Sequence, residues 1–263
     1  MISFSDLLTL STAEWELPCE VKDCRLFEAR GYRWLCSDPG AVQTALSIDD
    51  PSAVVLPNHQ AMLLATLLPV QVSSVLDLGV GGGGFMRHFR AWAQPPRLSG
   101  VEHSGEMLHA ARQHFALPPE QLIHVGDAVD FLGRDRARYD LIMCDLFDQR
   151  SAPAALQDEL FFASLARRLN PGAAVALNTL PASTAELTAI VDAACEHFSG
   201  VGILPIGDLG NVLLFLQEDP LPTQQTLQTR LAASIYADHA AVTQALASLR
   251  RLSLAEPNPV PAV

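Results

Sequence analysis

The chain has 263 residues, 49% of them hydrophobic, and a formal net charge of -12. That length suits one large α/β domain with a small appendage, and the acidity argues against nucleic acid as a partner, because a phosphate backbone is bound by clustered Lys and Arg. Apolar runs are much shorter than a bilayer span, and the opening MISFSDLLTLSTAEWELPCE lacks a basic start, so neither a membrane helix nor a signal peptide is expected and a cytoplasmic protein is.

Residues 1–50 read as an N-terminal antiparallel β appendage. Runs Cys24–Glu28 and Tyr32–Ser37 flank Ala29-Arg30-Gly31 as a hairpin, and a third run spans Val42–Ile48. PNHQAMLLATLL, residues 57–68, has helical spacing with Pro57 near its start. Alternation then predicts strands at 74–79, 98–103, 122–126, 139–145 and 173–178, with helices at about 84–93, 105–115, 156–169 and 183–198; Ser104 is a plausible cap of the second. In VGILPIGDLGNVLLFLQE, residues 201–218, two apolar runs joined by Gly207-Asp208-Leu209-Gly210 predict a closing antiparallel hairpin. Residues 51–220 thus read as a doubly wound α/β domain. Residues 221–263 read as a long helical stretch over 223–252 and a proline-rich tail expected to be disordered.

Five cysteines, Cys19, Cys24, Cys36, Cys144 and Cys195, have no C-x-x-C pair or interleaved histidine spacing. They are expected as reduced thiols without a metal. Cys144, inside an apolar strand, reads as core.

Chemistry concentrates in SVLDLGVGGGGFMRHFRAWAQPPRLSGVEH, residues 74–103. A strand enters a loop with Gly79, Gly81 and Gly83, a helix follows, and a second strand ends in Glu102 and His103. Glycine lets a ligand lie on the main chain at a helix start, and an acid at the next strand end can accept from ribose hydroxyls. This predicts a nucleoside site; a mere tight turn is the alternative. Ligands of open α/β sheets lie at the carboxyl ends of the strands, which gathers the loop, Glu102, Asp127 and Asp145 on one edge. Asp127 in HVGDAVDFL can accept from the adenine amine or cap the helix beginning at Ala128. Asp145 and Asp148 in YDLIMCDLFDQR can form an acidic mouth that holds an ammonium or takes its proton, although D-x-x-D is also common in loops.

From Cys24 to about Glu218 the chain resembles the spermidine synthase family of polyamine aminopropyltransferases, through AVQTAL, PNHQAM, VLDLGVGGGG, GVEHS, VGDAVDFL, YDLIMCDLFD and RRLNPGAAVALN. The resemblance implies the Rossmann-like seven-stranded sheet of S-adenosylmethionine-dependent methyltransferases, a homodimer, S-adenosylmethionine or its decarboxylated form as cofactor, and aminopropyl transfer to a small amine. It implies that Gly79, Gly81, Gly83, Glu102 and His103 hold the nucleoside, that Asp127 and Ala128 lie beside adenine, and that Gln43 lies at the thioether end. Asp77 completes the D-x-G-x-G-x-G form found in S-adenosylmethionine-binding proteins; capping loop amides is its plainer role. Asp145 would orient and deprotonate the amine and Asp148 would help hold it.

Four positions depart from the family pattern. Gly82 stands where an aspartate grips the aminopropyl ammonium, His59 replaces a pocket tyrosine, Ala61 replaces a glutamate, and Gly207 aligns with a second tyrosine. His59 reads either as a polar contact or base, or as a solvated histidine at a helix start. Losing the acid at 82 leans toward ordinary S-adenosylmethionine, whose carboxylate would need Arg87 or loop amides. A small-molecule methyltransferase and a non-catalytic nucleoside-binding protein therefore remain alternatives.

Overall fold

The computed structural model describes residues 4–37, 41–146 and 154–252. The N-terminal part carries helix α1 (Phe4–Thr9) and an antiparallel sheet in sequential order, β1 (Glu16–Leu17), β2 (Cys24–Ala29), β3 (Tyr32–Ser37) and β4 (Ala41–Ser47). Period-two alternation gives this sheet two apolar faces. Phe27 and Trp34 pack with Leu7 of α1, whereas Leu26, Leu35 and Leu46 pack on Ala110 and Phe115 at helix α4 (Gly105–His114) of the larger body. Arg33 of β3 ties the two parts together by donating from Nη1 to the His114 carbonyl at 2.7 Å.

The larger sheet contains β5 (Ser74–Leu78), β6 (Arg97–Glu102), β7 (Ile123–Val125), β8 (Tyr139–Cys144), β9 (Leu169–Thr179), β10 (Gly200–Pro205), β11 (Val212–Gln217) and β12 (Arg250–Arg251). Its order is β12-β10-β11-β9-β8-β5-β6-β7. Strands β5 to β9 pair in parallel, and β10, β11 and β12 pair antiparallel. The predicted seven-stranded sheet is thus present, and a two-residue eighth strand extends its edge. The chain runs from β5 outward to β6 and β7, then returns to β8 on the other side of β5. That reversal opens a crevice at the carboxyl ends of β5 and β8.

The central strands are buried on both faces, as near-continuous apolar runs require. Leu76, Ile142, Val175 and Leu214 point into one layer with α5 (Ala128–Arg134), α6 (Glu159–Arg167) and α7 (Thr184–Cys195). Val75, Met143, Ala176 and Phe215 face the other layer, formed by α2 (Pro57–Met62), α3 (Gly84–Arg90), α8 (Gln224–Ala232) and α9 (Ala240–Ser248).

Two expectations are corrected. The stretch from 223 to 252 is not one long helix: α8 ends at Ala232, Tyr236 turns inward, and the His239 side chain caps a new helix by accepting from the Val242 amide. The last residues of the stretch instead form β12, paired with β10. The 57–68 segment begins as α2 but tightens after Met62 into a 3-10 helix over Leu63–Leu67. The proline-rich tail lies outside the described residues.

Candidate active site

The crevice is a cavity of about 930 Å³, walled on one side by the β5 loop and on the other by the small sheet. Its size is at the upper end of small-molecule sites and suits two ligands side by side. The sharpest constraint is at Gly79. Its φ is +85°, and the Asp145 amide bonds the Leu78 carbonyl at 2.9 Å, so a Cβ at 79 would collide with the Asp145 carbonyl oxygen. Only glycine allows the ends of β5 and β8 to meet this closely.

Gly79 and Gly81 line the cavity together with Gly82 and Gly84. Gly83, expected to face the ligand, does not. It is the residue before α3, and its Cα turns toward Leu117, away from the cavity. Gly82 is enclosed as well: a Cβ there would strike the Thr44 hydroxyl and lie 2.9 Å from the Thr44 Cβ.

Glu102 is buried at the end of β6 and lines the cavity beside His103. One carboxylate oxygen accepts from the Gly81 amide at 2.8 Å and the other from the Ser104 amide at 2.9 Å, so the acid fixes the loop while its remaining lone pairs stay available. Ser104 caps α4, as its sequence suggested, by accepting from the Met107 amide. Asp127 caps α5, accepting from the Asp130 amide at 2.9 Å, and also lines the cavity. Ala128 and Gln43 line the same cavity, with Gln43 Nε2 donating to Ser37 Oγ at 2.9 Å.

Asp77 does not reach the cavity surface. It is 1% exposed beneath the loop, and neither carboxylate oxygen has a partner among the described residues. Burial, then the neighbouring Asp145 and Glu102 carboxylates, pushes it well above the usual carboxylate range. Capping of loop amides is therefore not its role. Arg87 also fails to reach the ligand space: it is buried, with Nη1 donating to the Gly82 and Phe115 carbonyls and Nε to the Pro51 carbonyl, so it braces the loop from behind.

Elsewhere on the cavity wall, His59 and Asp145 meet. His59 Nε2 is 2.5 Å from Asp145 Oδ2, and Asn178 Nδ2 donates to Asp145 Oδ1 at 2.7 Å. Asn211 Nδ2 donates in turn to Asn178 Oδ1 at 3.0 Å. His59 is thus not a solvated helix-start histidine. Asp148 lies outside the described residues. The sequence reading passed over Asn178 and Asn211; a polar residue closing the apolar run AAVALN was the signal for the first. Besides the expected Gln43, the N-terminal part brings Thr44, Cys24 and Lys22, the chain's single lysine, to the cavity. Burial holds the Cys24 thiol protonated, raised to about 11, so this cavity cysteine is not a nucleophile near neutral pH. All five cysteines are free.

Residues 75–172 match the family described as Methyltransferase domain. The chain is 27% identical to a polyamine aminopropyltransferase of Chromobacterium violaceum over 196 residues, which are 72% of this chain and 74% of the relative. With further relatives of that name the match spans about half of their length, as the 48% covered in two Neisseria meningitidis proteins illustrates. Among solved structures, a probable spermidine synthase from Corynebacterium glutamicum superposes with a TM-score of 0.69 at 17% identity, over 94% of this chain and 98% of the other. A spermidine synthase in complex with the transition-state analogue AdoDATO superposes at 0.57 and 16% identity, over 78% and 72%. The chain is similar in sequence to polyamine aminopropyltransferases, and it shares the fold of spermidine synthases and methyltransferases. In this chain the glycine loop and Glu102 share one cavity with the His59–Asp145 pair, and Gly82 lines that cavity in close contact with Thr44.

Proposed function

We propose that the protein is an aminopropyltransferase that uses decarboxylated S-adenosylmethionine and a small amine acceptor. The observation that carries this reading is the hydrogen-bonded His59–Asp145 pair on the same cavity as the glycine loop and Glu102. The cavity fits the cofactor's parts in turn: a glycine wall for close approach, Glu102 for the ribose, Asp127 and Ala128 for adenine, and Gln43 and Thr44 toward the sulfonium tail. When bound, the cofactor supplies an activated carbon with a neutral thioether as leaving group. The protein's task is then to hold an amine in line, to free its lone pair and to keep water from competing.

The loop position and Glu102 orient the nucleoside, and the small sheet closes the cavity over it. Asp145, between His59 and Asn178, sets the polarity of the acceptor end. Asp148 is assigned to holding the acceptor's second charge. In this reading residues 51–220 form the transferase domain, residues 1–50 its cover and residues 221–263 a C-terminal brace, and the protein works as a homodimer.

Thr44 and Gly82 support a second reading, methyl transfer from intact S-adenosylmethionine, since no acid stands at 82 to repel a carboxylate. Calorimetry with both cofactors side by side separates them. Aminopropyl transfer predicts preference for the decarboxylated form, preference for the intact form favours methyl transfer, and no binding of either rejects both.

A further inference from the structure

The aminopropyl-transfer reading leaves open which atom removes the amine's proton, and the inference below rests on that reading. We propose that His59 takes the proton at Nδ1 and that Asp145 is its positioning residue. The His59 ring lines the cavity with its side chain 15% exposed, packed against Phe85 at 4.8 Å between ring centroids. Its Nε2 is engaged by Asp145 Oδ2 at 2.5 Å, and its Nδ1 has no hydrogen-bond partner among the described residues.

The row behind this pair fixes the polarity at Asp145 Oδ1. Asn211 donates to the Asn178 oxygen, so Asn178 presents its amide nitrogen to Asp145 Oδ1. Asn178 is fully buried and cannot exchange this arrangement for water. Asp145 Oδ1 therefore accepts from Asn178, and in this assignment Oδ2 accepts from His59 Nε2–H. A carboxylate that accepts from Nε2–H holds the neutral imidazole with its lone pair on Nδ1, and it stabilises the imidazolium once that nitrogen is protonated. A proton placed on Asp145 Oδ1 would have to displace Asn178. This is the arrangement of a general base with an orienting acid behind it.

The amine enters as an ammonium. His59 Nδ1 takes one of its protons, leaving a neutral amine and an imidazolium paired with Asp145. The nitrogen lone pair forms the C–N bond to the aminopropyl carbon as the C–S bond breaks and its electron pair stays on sulfur. The positive charge passes from sulfonium to the product nitrogen, and the imidazolium returns its proton to water.

Two readouts test this assignment. In ligand-free protein with 15N-labelled histidine, the side-chain nitrogen shifts of His59 should report the Nε2–H tautomer, and Asp145→Ala should abolish that preference. The tautomer itself is read on the wild-type protein, so that readout stands even where a variant fails to fold. In turnover with decarboxylated S-adenosylmethionine and a diamine, His59→Gln should lower kcat by about 10²- to 10³-fold, the range of a general base. Cofactor affinity by calorimetry should move by less than about threefold, since the lost interaction belongs to the reaction and not to ground-state binding. The His59→Gln/Asp145→Asn double variant should be no slower than the slower single variant, because residues acting as a unit are not additive. Added imidazole should restore part of the activity of His59→Gly, which a packing role does not allow.

An Nδ1–H tautomer at His59 would overturn the assignment and return the proton to Asp145. So would a His59→Gln enzyme within about threefold of wild-type kcat beside a crippled Asp145→Asn. Both outcomes leave the aminopropyltransferase reading standing. A wild-type protein that binds cofactor but moves no aminopropyl group to any amine would instead overturn that reading, and the assignment with it.

Discussion

At the scale of single residues, two buried positions decide how the loop behaves. Asp77 has no partner for either oxygen among the described residues and lies near two other acids, so its native pKa stands well above the unfolded value. The native state then holds the proton more tightly than the unfolded chain does. This contribution to stability is fully present below about pH 4 and is lost as pH rises toward the native value. Asp77→Asn, neutral throughout, should therefore gain on the wild type in urea unfolding as pH is raised from about 4 to 8, and a difference independent of pH would contradict this account. Gly82 is constrained by Thr44 in the opposite sense, by contact. Gly82→Ala should cost about 1–3 kcal/mol from overpacking, with part recovered by Thr44→Ala, as chemical denaturation can measure. The sequence made Glu102, Asp127 and Asp145 legible because strand ends can be read from apolar runs. It could not reveal that Gly83 turns away or that Arg87 is spent on three backbone carbonyls, since both depend on which segment packs behind the loop. His59 was legible as a residue type at a helix start; its bond to Asp145 spans 86 positions and follows from tertiary packing alone.

At the scale of elements, the parallel strands and the closing hairpin followed the pattern of apolar runs and turn residues, since burial on both faces leaves a continuous apolar signature. The C-terminal region did not, because helical composition continues through Ser234 to His239, where the chain bends. The bend is fixed by Tyr236, 3% exposed, whose hydroxyl lies 2.7 Å from His88 Nε2 on α3. The other ring nitrogen of His88 meets the Ser52 carbonyl at 3.0 Å, so this histidine joins the C-terminal helices to the segment ahead of α2. Tyr236→Phe removes one partner and leaves a buried ring nitrogen unpaired. It should cost about 1–3 kcal/mol in thermal or chemical unfolding while leaving cofactor affinity unchanged, because the contact lies away from the cavity residues. A loss of cofactor binding without loss of stability would show that α8 and α9 act on the site directly.

At the scale of the molecule, the site is made by two sheets. The larger one supplies the loop, Glu102, Asp127 and Asp145, and the smaller one supplies Gln43 and Thr44 across the cavity. The smaller sheet is held through Leu26, Leu35 and Leu46 against α4. Leu35→Ala, at a fully buried position, should destabilise by about 2–5 kcal/mol and weaken cofactor binding together, read by unfolding and calorimetry on one preparation. Among the described residues no helix is long and apolar enough to cross a membrane. The proposed homodimer is tested by sedimentation equilibrium, with a concentration-independent monomer as the contrary result. The central claim, that an aminopropyl group is what moves, is tested most directly by mass spectrometry of an amine acceptor incubated with the protein and each cofactor form in turn. The account predicts an acceptor heavier by one aminopropyl unit with the decarboxylated cofactor, together with release of methylthioadenosine. An acceptor gaining a methyl group from intact S-adenosylmethionine, and nothing from the decarboxylated form, would contradict it.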